Sequence, residues 1–194
     1  MSDPHFGHAN SIRFDNRPFL TVEDMDNELI KRWNSVVKAD DIIYILGDIS
    51  WHNTGKTFEI FSQLNGEKHL IRGNHDKSEK YPVKLKVLFK EIVDYKEIKV
   101  DGIDVILCHY PIPCFNKHFY GSVHLYGHVH NSHENNYIEN LRWQFNELDI
   151  PCNMYNVGCM MTYMDYTPKT LLEIISADII LNQDKHKQIE REVN

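Results

Sequence analysis

After Thr21, apolar residues recur at spacings of three and four, at Met25, Leu29, Trp33 and Val36/Val37, with Glu23 and Asp24 close behind the threonine. That period predicts an amphipathic helix capped by Thr21, its acidic residues near the positive end of the helix dipole and its apolar face on a sheet. Ile42 to Leu46 is a continuous apolar run of strand length, rich in β-branched residues and ending in Gly47-Asp48, which predicts a buried strand. A second helix over Lys56 to Leu64, closed by Asn65-Gly66, leads to a short strand from Lys68 to Arg72 that runs into Gly73-Asn74-His75-Asp76. Tyr95 to Val100 and Ile103 to Leu107 flank Asp101-Gly102 and predict a hairpin that ends at Cys108-His109. Ser122 to Tyr126 and Met154 to Val157 read as further short strands. Thr167-Pro168 reads as the N-cap and first position of a helix through Leu171, Leu172 and Ile175, and the polar stretch Asn131 to Leu148 as a surface loop. Trp33, Phe58 and Phe61 are read as core. Strands that feed polar loops predict an α/β (α+β) fold with its chemistry outside the strand ends.

Length and composition narrow this picture. The 194 residues suit a single domain over 1–194, and 42% apolar with 25% charged residues argues against disorder or a fibrous repeat. Lys plus Arg number 21 and Asp plus Glu 28, so the net charge is 21 − 28 = −7, which disfavours bulk electrostatic binding to nucleic acid or an anionic membrane. No apolar stretch reaches the roughly eighteen residues of a membrane span, and Met-Ser-Asp-Pro-His carries no signal-peptide core, so a cytoplasmic location is expected. Cys108, Cys114, Cys152 and Cys159 show no C-x-x-C spacing and are expected to be reduced thiols.

The unusual feature is the placement of twelve histidines. Five segments set a metal-capable side chain beside a glycine or proline: Asp3-Pro4-His5, Gly47-Asp48, Gly73-Asn74-His75-Asp76, His109-Tyr110-Pro111 and Gly127-His128-Val129-His130. In extended chain, residues two apart point the same way, so Asp3 with His5, and His128 with His130, are natural chelating pairs. Two carboxylates, one amide and four imidazoles suit Mn, Fe, Co, Ni or Zn rather than Ca or a mostly hydrated Mg. Seven ligands exceed the needs of one ion, and two ions bridged by a carboxylate would form a clamp for in-line displacement at phosphorus.

In this order the five segments resemble the calcineurin-like metallophosphoesterase superfamily, with its pattern D-x-H, G-D, G-N-H-[D/E], H and G-H-x-H. The resemblance spans residues 3 to 130. The longer opening Asp3 to Asn10, with Asn156-Val157-Gly158 and Tyr166-Thr167-Pro168, is similar to a group of small bacterial and phage members. It implies a layered sandwich of two mixed β-sheets flanked by helices. It also implies that Asp3, His5 and His130 hold one metal, that Asn74, His109 and His128 hold the other, and that Asp48 bridges them. A hydroxide between the ions would attack phosphorus, and His75 would protonate the leaving oxygen. The implied activity is hydrolysis of a small phosphodiester or phosphomonoester, with a nucleotide among the candidates, and with two divalent transition-metal ions as cofactors.

Blander readings stand beside this one. Gly127 to His130 alone reads equally well as a strand of surface histidines, and His75 could orient a loop rather than move a proton. His8 is a candidate for contact with substrate phosphate, for support of a ligand, or for plain solvent exposure. Arg72 is a candidate phosphate contact whose stem could instead pack beside the sheet. His52 is read as structural, and His69, His118, His124, His133 and His186 as non-ligands. After Gly47-Asp48 the chain has Ile49-Ser50-Trp51-His52 instead of the G-D-x-V-D-R-G run of protein Ser/Thr phosphatases, which disfavours that activity. A nuclease, with a basic or aromatic groove for an oligonucleotide, and a non-catalytic metal-binding interaction module remain the alternatives. Pro4 biases Asp3 toward extended backbone. Nothing apolar precedes Asp3, so the sequence predicts a sheet that lacks its first strand and leaves Asp3 and His5 on a frayed end.

Overall fold

The computed structural model describes residues 1–180; His186 and the end of the expected 1–194 domain lie outside the described residues. A short helix α1 (Ala9–Phe14) precedes the capped helix α2 (Val22–Val36), in which the Thr21 side chain accepts a hydrogen bond from the Asp24 N–H. Met25, Leu29 and Trp33 form the buried face of α2, as their spacing requires. The run after residue 41 forms strand β1 (Ile42–Ile45), and Asn53 caps α3 (Thr54–Gln63), which starts one half-turn earlier than the apolar pattern suggests. Strand β2 (Glu67–Ile71), the single turn α4 (Val83–Lys86) and strand β3 (Phe89–Val93) follow. β1, β2 and β3 lie side by side in that order, all parallel.

The second sheet has four strands in the order β4 (Tyr95–Val100), β5 (Ile103–Cys108), β6 (Val123–Tyr126) and β7 (Met154–Asn156). β4 and β5 form an antiparallel hairpin, whereas β5, β6 and β7 run parallel. Asp101 (φ 49°) and Gly102 (φ 85°) form its two-residue turn, the conformation that Asp-Gly favours. The fold is therefore a mixed α/β arrangement of two sheets flanked by helices.

Four expectations need correction. Asn131 to Leu148 is not a loop: Ser132 caps α5 (His133–Glu147), with Asn135 and Ile138 buried along it. The apolar positions Ile138, Leu141 and Phe145 carried the helical spacing, but asparagine and glutamate dilute it. Among the described residues, helix α6 covers 171–180 and is capped by Thr170, whose hydroxyl accepts from the Glu173 N–H while Glu173 Oε2 accepts from the Thr170 N–H. This reciprocal pair places the start past Thr167-Pro168. Asp3 has φ 55°, so the bias from Pro4 is overridden by contacts described below.

The opening residues are not frayed. Leu46 N–H donates to Met1 O (3.0 Å) and Asp3 N–H to Gly47 O (3.1 Å) on the side of the first sheet. Ser2 N–H donates to Val157 O (2.7 Å) and Cys159 N–H to Ser2 O (2.8 Å) on the side of the second. Residues 1–3 thus join the two sheets, and Asp3 is fully buried between them.

Candidate metal centre

The loops after β1, β2, β5 and β6 leave the C-terminal ends of parallel strands, the usual place for a ligand in such sheets, and meet the joining segment there. Asp3, His5, Asp48, Asn74, His109, His128 and His130 converge at this point. Asp3, His5, Asp48, His128 and His130 all adopt left-handed backbone, with φ between 49° and 70°. The i, i+2 pairs therefore converge through two left-handed residues flanking a third, not through extended chain. Glycine is needed where these loops touch: a Cβ on Gly127 would strike Ser2 Oγ and Asp3 Oδ2, and on Gly47 (φ 89°) it would lie 2.6 Å from His109 Nδ1.

Two clusters share Asp48. In the first, Asp3 Oδ1 lies 3.8 Å from His5 Nε2 and 3.6 Å from His130 Nε2, and those two imidazole nitrogens are 3.1 Å apart. In the second, Asn74 Oδ1 lies 3.0 Å from His109 Nε2 and 2.9 Å from His128 Nδ1. Asp48 Oδ2 stands between them, 3.7 Å from both His5 Nε2 and His109 Nε2, while Asp48 Oδ1 accepts from the His75 N–H. Within 4.8 Å of one another lie donor atoms of Asp3, His5 and His130, and likewise of Asp3, Asp48 and His109.

The chemistry of these donors fits a divalent cation. Asp3 Oδ1 is buried and has no hydrogen-bond partner, and burial pushes the Asp3 carboxyl above its ordinary range. An adjacent cation would satisfy that oxygen. His109 Nδ1 donates to Leu46 O (2.7 Å), which turns the lone pair of Nε2 toward Asn74 Oδ1, itself an acceptor. Two acceptors face to face call for a positive ion between them. Burial holds His5 well below the usual imidazole value, and burial with nearby His109 lowers His128, which keeps both neutral as ligands must be.

Supporting residues that the motifs did not reveal hold this geometry. Burial disfavours the charged form of His130, but the Asp15 hydrogen bond (2.8 Å to Nδ1) and the Asp3 charge more than reverse it. Buried Arg17 binds Asp15 at 2.8 Å and donates to Pro4 O and Asp3 O, which locks the left-handed turn at Asp3. Cys159 Sγ donates to Asp3 O from a buried site that raises its thiol pKa to about 12. Trp51 Nε1 donates to His5 Nδ1 (3.0 Å), so neutral His5 carries its proton on Nε2. Ligation through Nε2 needs that proton on Nδ1, and the indole N–H then has to give way.

The remaining sequence candidates take varied positions. His75 is about half exposed, with Nε2 4.0 Å from Asp48 Oδ2. His8 stacks on Trp51 at 4.1 Å with rings 14° apart, and its buried Nδ1 has no partner. Arg72 Nε and Nη2 grip Asp94 at 2.7 and 2.5 Å, so its guanidinium is engaged by a carboxylate. His52 binds Asp26 at 2.6 Å, and Asp26 also accepts from the Gly7 N–H. His69 pairs with Glu67 and Glu91, and His124 hydrogen-bonds Ile106 O and the loop after His109. No helix among the described residues is long and apolar enough to cross a membrane.

No family model matches the sequence. The uncharacterized protein MJ1445 of Methanocaldococcus jannaschii is 41% identical over 140 residues, which cover 71% of either chain. The chain belongs to the MJ1445 family. The gene 66 protein of Mycobacterium phage L5 is 41% identical over 78 residues, 39% of this chain and 37% of that protein. Among solved structures, a protein of unknown function from Aquifex aeolicus, AQ665, superposes with TM-score 0.68 at 28% identity, covering 91% of this chain and 96% of that one.

Proposed function

We propose that the chain hydrolyses a small phosphodiester or phosphomonoester with the help of two divalent ions drawn from Mn, Fe, Zn, Ni and Co. The observation that carries this reading is Asp48 Oδ2, equidistant at 3.7 Å from an imidazole of each cluster. Asp3, His5 and His130 would hold one ion, Asn74, His109 and His128 the other, and Asp48 both. When bound, such ions lower the pKa of water toward ~7 and withdraw charge from phosphoryl oxygens. Asp15 and Arg17 keep His130 and the Asp3 turn in place, so these two ligands need little rearrangement. His75, open to solvent on one side and near Asp48 on the other, is positioned to give a proton to the departing oxygen.

The test is turnover of bis(p-nitrophenyl) phosphate and p-nitrophenyl phosphate by metal-loaded protein, with metal content measured in parallel. At least one ester should be hydrolysed, and Asp48→Asn should lose both turnover and bound metal. Two ions bound without turnover of either ester, or Asp48→Asn with unchanged metal and rate, would overturn the reading.

A further inference from the structure

Beside His75 opens a cleft of about 330 Å³, small but within the range of small-molecule sites. Trp51, His75, Lys77, Lys80 and Tyr81 are among the residues that line it. The chain is acidic overall, yet no carboxylate lines this cleft. Of the carboxylates near it in sequence, Glu79 sits between the two lysines in the 3₁₀ turn but is not part of the lining, and Asp76 is engaged elsewhere. Asp76 accepts from the Asp48, Ile49 and Gly73 N–H groups and from Tyr81 Oη, and Asp26 is bound to His52 and Gly7 N–H. Among the described residues, neither Lys77 nor Lys80 has a carboxylate partner within ion-pair distance. Both follow His75 in the same segment, Lys80 inside the 3₁₀ turn Ser78–Lys80.

Position then assigns a task. In-line displacement puts the departing oxygen opposite the attacking one, and His75 marks the departing side. His75 also lines the cleft, so the body of a leaving alcohol that takes its proton from His75 would lie against it. We propose that this cleft binds the leaving group, and that the leaving group is an alcohol carrying a second phosphate, which Lys77 and Lys80 neutralise. The inference rests on the hydrolytic reading above and adds the substrate class. In the step, the water oxygen bonds to phosphorus as the bond from phosphorus to the alcohol oxygen breaks. That oxygen takes a proton from His75, and the water's surplus proton passes to solvent, from which His75 is recharged.

A matched pair of esters tests this. Propane-1,3-diol bisphosphate and n-propyl phosphate release the same kind of alkoxide, and only the first leaves with a phosphate. Metal-loaded protein should favour the bisphosphate in kcat/KM by about tenfold or more, the effect of charge-assisted pairing at an open site. The double variant Lys77→Gln/Lys80→Gln should bring the ratio close to one, and Lys77→Arg/Lys80→Arg should keep it. Calorimetry should show weaker binding of 3-hydroxypropyl phosphate to the glutamine variant, with inorganic phosphate affinity much less affected. Equal kcat/KM for both esters in the native protein, or a preference that survives the glutamine variant, would overturn the cleft assignment and leave the hydrolytic reading standing. Failure to hydrolyse either ester, together with no turnover of the nitrophenyl esters, would remove both.

Discussion

Asp76→Asn is the substitution whose effect follows most directly from the geometry. Asp76 is buried, and its two oxygens divide four donors between them. Oδ2 takes the Asp48 and Gly73 N–H groups, both at 2.8 Å, while Oδ1 takes the Ile49 N–H at 3.1 Å and Tyr81 Oη at 3.3 Å. The carboxylate therefore ties the loop after β1 to the loop after β2, and through them Asp48 to Asn74. An asparagine has nearly the same shape but only one oxygen, so its NH₂ would face the Ile49 N–H while Tyr81 Oη turns to accept from it, and the bonds that survive lose their charged acceptor. Hydrogen bonds to a charged acceptor contribute about 1.5–3 kcal/mol each against about 1 kcal/mol for neutral ones, so one lost bond and the weakening of the rest cost roughly 3 kcal/mol. With a urea m-value of about 2–3 kcal/mol/M for a chain of this size, the unfolding midpoint should fall by about 1 M. Urea unfolding followed by circular dichroism reads that shift, and Mn²⁺ titration should show affinity at least about tenfold weaker as Asp48 loosens. Tyr81→Phe removes one long bond and should cost no more than about 1 kcal/mol. A midpoint and a metal affinity both unchanged in Asp76→Asn would refute the argument that this side chain sets the position of Asp48.

Two further outcomes separate roles at the centre. His75→Ala should retain its metal, because His75 lies outside both ligand clusters, yet lose ~10²–10⁴ in rate on an alkyl ester and much less on a nitrophenyl ester; equal losses on both would rule out proton donation. Trp51→Phe deletes the N–H that holds the His5 proton on Nε2, so the first cluster should bind metal about fivefold more tightly, the worth of one hydrogen bond; weaker binding by calorimetry would show that the indole supports ligation instead.

Asp48, Asn74, His109, His128 and His130 were legible because each sits within a few residues after a strand end, and Asp3 with His5 because of their own short spacing. Their backbone shape was not: alternation implied extended pairs, whereas Asp3, His5, His128 and His130 are left-handed, a state fixed by Arg17 and by the sheet-joining segment. Asp15 and Arg17 pair with each other two residues apart, but their service to the centre was hidden because the groups they steady, His130 and the Asp3 and Pro4 carbonyls, lie far off in sequence or on the main chain. The short edge strand Phe89–Val93 escaped for a similar reason, its place fixed by pairing with β2. Arg72 drew attention because a cation next to a glycine-rich motif suggests phosphate, while Asp94, one residue beyond β3, is the anion its guanidinium grips.

Left-handed backbone at Asp3, His5, Asp48, His128 and His130 has a meaning for how such a protein can change. Each residue with a Cβ in that region stores about 1–2 kcal/mol, somewhat less for aspartate. Together they forfeit an amount comparable with the 5–15 kcal/mol that holds an ordinary domain folded. Glycine at any of these positions would relax the chain, so selection or engineering for heat resistance alone would drift toward glycine here and erase the centre while leaving a sturdier scaffold. Ligand knockouts made with glycine should consequently melt higher than those made with alanine. Retention of aspartate and histidine at these five strained positions in a lineage therefore speaks for use of the centre, in a way that retention of a relaxed surface histidine does not.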